Sequence, residues 1–260
     1  MDIYIIAIII ILIIFGACLL GYMVREAFQD RVIHNELEFE DFPAGFGSVT
    51  IFFISDIHRR KISDKLLEQV KGKADLVIIG GDLAEKGVPF SLVKENIEKL
   101  KTVGPAYFVW GNNDYELDHR ELDALLLESG VKILDNTAVS FEAENGDIMI
   151  LMGVDDVGKG RDRLDLALQD AGPSGFRILA CHNPAIIGKL EKEHGIRLVL
   201  SGHTHGGQIH ILGYSPYEKG KVKIMDAATL LISNGYGTTA LPLRLGARAE
   251  THLVRLGRKC

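Results

Sequence analysis

Two aspartates, one asparagine and four histidines, placed in five short clusters, make up the chemically suggestive part of this sequence. The clusters are Asp56-Ile57-His58, Gly80-Gly81-Asp82, Gly111-Asn112-Asn113-Asp114, Cys181-His182-Asn183-Pro184 and Gly202-His203-Thr204-His205. Oxygen and imidazole donors without a thiolate suit Mn²⁺, Fe or Zn²⁺ better than Cu(I), an iron–sulfur cluster or a Ca²⁺ cage. Asp56, His58, Asp82, Asn112, His182, His203 and His205 are too many donors for one tetrahedral ion. They suit two divalent ions that share a carboxylate and keep positions open for water and substrate. Two such ions, roughly 3.5–4 Å apart, clamp the attacking and leaving oxygens of an in-line displacement, and they lower the pKa of a bound water from about 15.7 to about 7. Taken singly the clusters are weak signals. Asp-x-His is common, Gly-Asp is uninformative, Gly-Asn-Asn-Asp reads first as a turn, and His182 alone reads as a histidine beside a helix cap. Gly-His-x-His is more specific, and the ordered set carries the reading.

Each cluster directly follows an apolar run that reads as a strand: residues 49–55, 76–79, 106–110, 177–181 and 198–201. Helical spacing occupies residues 63–71, with Ser63 as N-cap, then 91–101 and 118–129, the last closed by Gly130; another helix is expected to open at Asn183-Pro184. Strands alternating with helices predict an α/β fold. A further apolar run at 148–154, and alternating runs at 230–233 and 252–256 that look antiparallel, predict a second sheet packed on the first. Ligands of such sheets sit beyond the carboxyl ends of the strands, so clusters remote in sequence can meet at one point. Gly80, Gly81, Gly111 and Gly202 stand just before the donors, where a residue without Cβ lets the chain turn sharply.

Residues 3–24 carry no charge and are mostly isoleucine and leucine. Such a run matches the ~30 Å hydrocarbon core of a bilayer. A cleaved signal peptide wants a basic start and a small-residue cleavage site, and the segment has neither; Phe15-Gly16-Ala17-Cys18 only faintly resembles a lipoprotein site. The expectation is a retained single-pass anchor. Arg25 and Arg31 follow it and no basic residue precedes it, which predicts the remaining chain in the cytoplasm. The chain divides into an anchor at 1–24, a linker at 25–47 and one catalytic domain at 48–260. Cys18, Cys181 and Cys260 form no disulfide framework or zinc spacing and read as free thiols of a reducing compartment. A net charge of −6 argues against a nucleic-acid partner, and no protein partner is predicted.

The order Asp-x-His, Gly-Asp, Gly-Asn-x-Asp, His, Gly-His-x-His resembles the signature of the calcineurin-like metallophosphoesterases, over roughly residues 49–256. Gly-His-Thr-His-Gly-Gly-Gln-Ile at 202–209 is similar to the bacterial membrane-associated branch. The resemblance implies a two-sheet sandwich flanked by helices, the metallo-dependent phosphatase fold, here preceded by one transmembrane helix. It implies that Asp56, His58 and His205 hold one metal, that Asn112, His182 and His203 hold the other, and that Asp82 bridges them. Asp82, Asn112 and His203 are then the catalytic group, with a metal-bound hydroxide attacking phosphorus. One position departs. The family usually places a leaving-group histidine after the metal-binding asparagine, and this chain has Asn113 there, read as a substrate-binding residue. Loss of such a proton donor costs about 10²–10⁴-fold, unless the leaving group is already good, as in a pyrophosphate, or Asp114 or His210 supplies the proton.

The expected activity is hydrolysis of a phosphodiester or pyrophosphate, on a phosphorylated small molecule or a lipid-linked substrate. The alternatives are a catalytically weak metal-binding scaffold at the membrane, which Asn113 favours, and a nuclease with the same metal site, which the acidic balance disfavours. Arg161, Arg163 and Arg244, and His34, His119, His194 and His252, read as surface residues. Trp110 reads as core, Asp155-Asp156 as loop-capping residues, and Gly235-Tyr236-Gly237 as a turn.

Overall fold

The computed structural model describes residues 3–259. It opens with helix α1, Ile3–Ala27, whose side chains are exposed as far as Arg25 apart from the half-buried Met23, with Glu26 and Ala27 buried. The most apolar stretch of α1 has a mean hydropathy of 3.3, and the helix is long and apolar enough to cross a membrane. Strand β1, Val32–Phe39, follows, then β2, Ser48–Ile54, helix α2, Asp64–Val70, and β3, Leu76–Ile79. Next come α3, Phe90–Lys101, β4, Ala106–Phe108, α4, His119–Glu128, and β5, Lys132–Ile133. The second half contains β6, Thr137–Glu142, β7, Ile148–Gly153, α5, Leu164–Ala171, β8, Phe176–Ala180, and β9, Ile196–Ser201. It closes with β10, Lys221–Ile224, β11, Thr229–Ile232, and β12, Thr251–Arg258.

The strands form two six-stranded sheets, ordered β1-β12-β2-β3-β4-β5 and β10-β11-β9-β8-β7-β6. Alternation along each strand sends neighbours to opposite faces. Ile51 and Phe53 of β2 therefore join Leu151, Ile178, Leu198 and Leu231 in the core between the sheets. Phe52 and Ile54 face outward onto Leu66, Val93, Ile97 and Leu122 of α2–α4. On the outer face of the second sheet, Ile150, Met152 and Val199 pack on Leu164 and Ala167 of α5. The expected sandwich flanked by helices is present. The sequence-read cap at Ser63 holds, its Oγ accepting from Leu66 N at 3.0 Å, and the structure adds one at Asp118, whose Oδ1 accepts from Arg120 N at 3.1 Å.

Three expectations need correction. Residues 25–47 are not a linker: α1 continues to Ala27, and β1 pairs in parallel with β12. His34, Glu36 and Glu38 of β1 are exposed while Leu37 and Phe39 pack on the core, so the alternating charges that disguise the strand belong to its wet face at the sheet edge. The tail is not uniformly antiparallel, since β11 runs parallel to β9 and β12 parallel to β1. Asn183 caps a 3₁₀ segment, Pro184–Lys189, rather than an α-helix.

Candidate metal centre

The strands β2, β3 and β4 are adjacent and parallel in the first sheet, and β8 and β9 are adjacent and parallel in the second. Their carboxyl ends deliver all five clusters to one edge of the sandwich. Backbone bonds then stitch the loops together. Asp56 N donates to Gly81 O at 3.0 Å, Ile57 N to Asp82 O at 2.8 Å, and Gly202 N to His182 O at 3.0 Å. Close approach explains Gly111, because a Cβ there would lie 2.3 Å from Asp82 N.

The donor atoms converge. His58 Nε2 lies 3.1 Å from His205 Nε2, and His205 Nε2 lies 3.4 Å from Asp56 Oδ1. Asp82 Oδ2 is 3.2 Å from His182 Nε2 and 3.7 Å from His58 Nε2, so one carboxylate oxygen reaches both histidines. Among the described residues, Asp56, His58 and His205 form one buried group with metal-site spacing, and Asp56, Asp82 and His182 form another. His203 stands beside the second group, its Nδ1 3.2 Å from His182 Nε2. Asn112 lies on the adjoining loop, and its Oδ1 is buried with no hydrogen-bond partner. Ring nitrogens facing each other at such distances, together with an orphaned amide oxygen, are what a set of lone pairs aimed at cations looks like. The residues therefore fit divalent metal ions.

Backbone strain marks the same residues. Nine non-glycine residues among those described have positive φ, and Asp56, His58, Asp82, His203 and His205 are five of them. Left-handed conformations of this kind cost about 1–3 kcal/mol each and persist where surrounding structure enforces them, characteristically at functional sites.

The electrostatics are those of a buried cluster of carboxylates and imidazoles. Burial opposes charge on His182, but the carboxylates of Asp82 and Asp56 outweigh it and raise its pKa to about 10. Metal binding at such a nitrogen would compete with protonation. Burial drives His205 down to about 4, assisted by His58 and Arg244 against the pull of Asp56. Burial and His182 also lower His203. His58 is raised, because Glu85, with Oε2 3.0 Å from its Nδ1, and the carboxylates of Asp82 and Asp56 overcome its burial.

Asn113 has a definite place. Its Oδ1 accepts from Asn112 Nδ2 at 2.9 Å, its Nδ2 donates to Glu116 Oε1 at 2.9 Å, and its backbone N donates to Asp82 Oδ1 at 2.8 Å. It thereby fixes which end of the Asn112 amide is left free. The two candidate proton donors are engaged elsewhere. The Asp114 carboxylate accepts from the backbone N–H groups of Asp82, Ala84 and Gly111, although burial and the Asp82 charge raise its pKa to about 7. His210 Nε2 lies 2.7 Å from Gly206 O.

Several supporting residues were misread or missed in the sequence. Arg244 is fully buried, not a surface residue, and its guanidinium donates to the carbonyls of His205, Asn234, Gly235, Gly237 and Ala247. Its value as a loop tie lay in partners contributed by folding, which local sequence does not reveal. His252 is likewise buried, with Nδ1 3.0 Å from Asn35 Oδ1 of β1. Gly235-Tyr236-Gly237 is more than a turn: a Cβ on Gly235 would lie 2.6 Å from Asp56 Cβ, and the Tyr236 hydroxyl reaches Asp30 at 2.9 Å. Arg161 pairs with Asp155 and also meets the Tyr115 hydroxyl at 2.9 Å, whereas Arg163 remains on the surface with Asp165. Asp156 caps its loop through Lys159 N as expected, while its Oδ1 is buried and unpartnered.

Residues 49–207 match the family model for calcineurin-like phosphoesterases, more than half of the chain. The chain belongs to that family. It is accordingly a metallophosphoesterase, a hydrolase of phosphate esters. Among relatives, the protein YpbG of Bacillus subtilis is 48% identical over 228 residues, covering 85% of this chain and 88% of that one. A cattle relative described as a transmembrane protein with metallophosphoesterase domain is 31% identical over 82% of this chain, and this chain spans about half of it, 54%. Of solved structures, the Thermus thermophilus sulfate thiohydrolase SoxB in complex with glycerol aligns with a TM-score of 0.51 at 13% identity, over 80% of this chain and 56% of that one. At that identity the likeness is one of fold.

Proposed function

We propose that this calcineurin-like phosphoesterase is a two-metal phosphohydrolase anchored to a membrane by α1, acting on a phosphodiester or pyrophosphate. The observation that carries the two-metal reading is Asp82 Oδ2, which stands between His58 and His182 and so joins the two donor groups. Asp56, His58 and His205 would hold one ion; His182, His203 and Asn112 would hold the other; and Asp82 would be shared. When bound, the ions supply an acidified water and positive charge against the phosphoryl oxygens. The protein's own residues set the geometry. Ser55 Oγ donates to Asp56 Oδ2 at 2.5 Å and His203 N donates to Asp56 Oδ1 at 3.0 Å, which orients that carboxylate. Asn113 orients Asn112, and Glu85 faces the outer nitrogen of His58. Partners of this kind fix ligand orientation and basicity.

Asn113 has no acidic proton, and the Asp114 carboxylate and His210 Nε2 are hydrogen-bonded within the chain. That favours a substrate whose leaving group needs no proton, such as a pyrophosphate, and the apolar α1 favours a lipid-linked one. The test is hydrolysis of bis-p-nitrophenyl phosphate by the full chain in detergent, with Mn²⁺ and with chelator, beside His203→Ala. Activity that requires both metal and His203 is expected. A folded, metal-loaded chain with no activity would return the reading to a metal-binding scaffold.

A further inference from the structure

Large apolar side chains lie exposed on two loops next to the metal centre. Ile211, Leu212 and Tyr214 stand on one, and Leu241 on the other. Neither loop carries a charged residue: 208–217 reads Gln-Ile-His-Ile-Leu-Gly-Tyr-Ser-Pro-Tyr, and 237–243 reads Gly-Thr-Thr-Ala-Leu-Pro-Leu. Leu212 is entirely exposed, and it is held at φ 51 in a tight turn closed by Ile211 N to Tyr214 O at 3.0 Å and Tyr214 N to Ile211 O at 2.9 Å. Packing inside the chain gives no reason for an apolar residue at that tip.

The loops are tied to each other and to the helix. Gln208 Nε2 donates to Thr239 O at 3.0 Å and to Leu241 O at 3.2 Å, and Thr239 N donates back to Gln208 Oε1 at 3.1 Å. His210 N donates to Leu245 O at 2.8 Å. Beyond Leu241, Arg244 N donates to Met23 O at 3.1 Å and Ala249 N to Glu26 O at 3.2 Å, while Arg248 pairs with Glu26 at 2.7 Å. Met23 and Glu26 belong to the last turns of α1, so whatever medium surrounds that helix borders the loops. Between the 237–243 loop and the helix end is a hollow of about 220 Å³ lined by Ala27, Phe28, Arg59, Ala240 and Pro242 among others. Exposed Tyr22, Arg25, Phe28 and Arg248 at the same level supply the aromatic and basic residues typical of a membrane–water boundary.

We propose that residues 211–214 and 240–243 form a second membrane contact, seated in the headgroup–acyl boundary beside α1. This rests on the reading of α1 as an anchor and deepens it. The loop that carries His203 and His205 runs directly into Gln208, so immersion of these tips holds the metal centre at the lipid surface and selects phosphoesters presented there. Interfacial segments bury their apolar side chains about 5–10 Å into this boundary.

The test uses the full chain reconstituted in phosphatidylcholine–phosphatidylglycerol vesicles with brominated acyl chains. Leu212→Trp and Leu241→Trp are compared with Leu127→Trp, an exposed apolar position on α4, each after subtraction of the signal from Trp110. Blue-shifted emission, quenched severalfold more at 212 and 241 than at 127, is expected. Emission at the wavelength of water-exposed tryptophan would overturn the proposal. So would a blue shift without bromolipid quenching, which would mean that a protein surface, such as a second copy, covers the loops. The readout does not depend on hydrolysis. Quenching in a chain inactive on phosphodiesters would keep the membrane contact and sink the phosphohydrolase reading alone.

Discussion

Asn113 shows how a single amide can serve the proposed metal centre without itself being one of the proposed ligands. By accepting from Asn112 Nδ2 it leaves Asn112 Oδ1 as the free end, the end with lone pairs. Removal of a partner that orients a ligand typically weakens metal binding about 10–100-fold. Asn113→Ala is therefore expected to weaken Mn²⁺ binding by that order in calorimetric titration, with the thermal midpoint of the metal-free chain little changed because the side chain is only partly buried. Unaltered Mn²⁺ affinity would remove the orienting role. The same logic extends to the strained backbone at Asp56, His58, Asp82, His203 and His205: left-handed φ values there aim side chains inward from loops that hydrogen bonds already hold rigid.

At the scale of elements, β12 joins the two ends of the chain and carries a buried histidine. His252 is held well below its ordinary value, at about 3, by burial and secondarily by Arg31. In the unfolded chain it titrates near 6.5. Between these values the unfolded state binds the extra proton, so stability is retained above the unfolded value and lost as pH falls through the window. By pH 5 that linkage amounts to about 2 kcal/mol for one group. Urea unfolding at pH 7 and pH 5 should show the wild type losing about that much more than His252→Phe, which has no proton to take up. Equal losses would mean that His252 is not held neutral. Arg244 acts across elements as well, gathering the carbonyls of the His205 loop and the 234–237 segment while its own backbone N meets α1.

At the scale of the whole molecule, α1 is not a tether on a slack linker. Arg60 donates to the carbonyls of Ala27, Phe28 and Gln29 and pairs with Asp30, which caps the end of the helix against the domain. β1 then enters the first sheet immediately after it. The candidate metal centre consequently has a set orientation relative to α1. The basic residues Arg25 and Arg31 after α1 predict which side of the membrane that is. A cytoplasmically active fluorescent reporter fused after Cys260 is expected to report, and an exported-only phosphatase reporter to stay silent. The opposite pattern would place the domain outside the cell.

The meeting of the donor clusters was legible in the sequence because each sits directly after an apolar strand, and the carboxyl ends of adjacent parallel strands lie at one edge of the sheet. The apolar helix was legible for the same kind of reason, since an unbroken uncharged run needs no tertiary context. Local patterns also located most strands and helices and the cap at Ser63. What only the tertiary structure decided were interactions between residues remote in sequence. β1 has alternating charges that look like a linker until β12, over two hundred positions away, provides its hydrogen-bonding edge. Arg244 and His252 look like surface residues until carbonyls and Asn35 from other segments surround them. The orientation of Asn112, the meeting of the two donor groups, which share Asp56, and the joining of two uncharged loops to the end of α1 likewise depend on distances that folding sets. Spacing along a chain encodes local periodicity and turn chemistry, whereas the partners of a buried polar group are chosen by the packing of the whole.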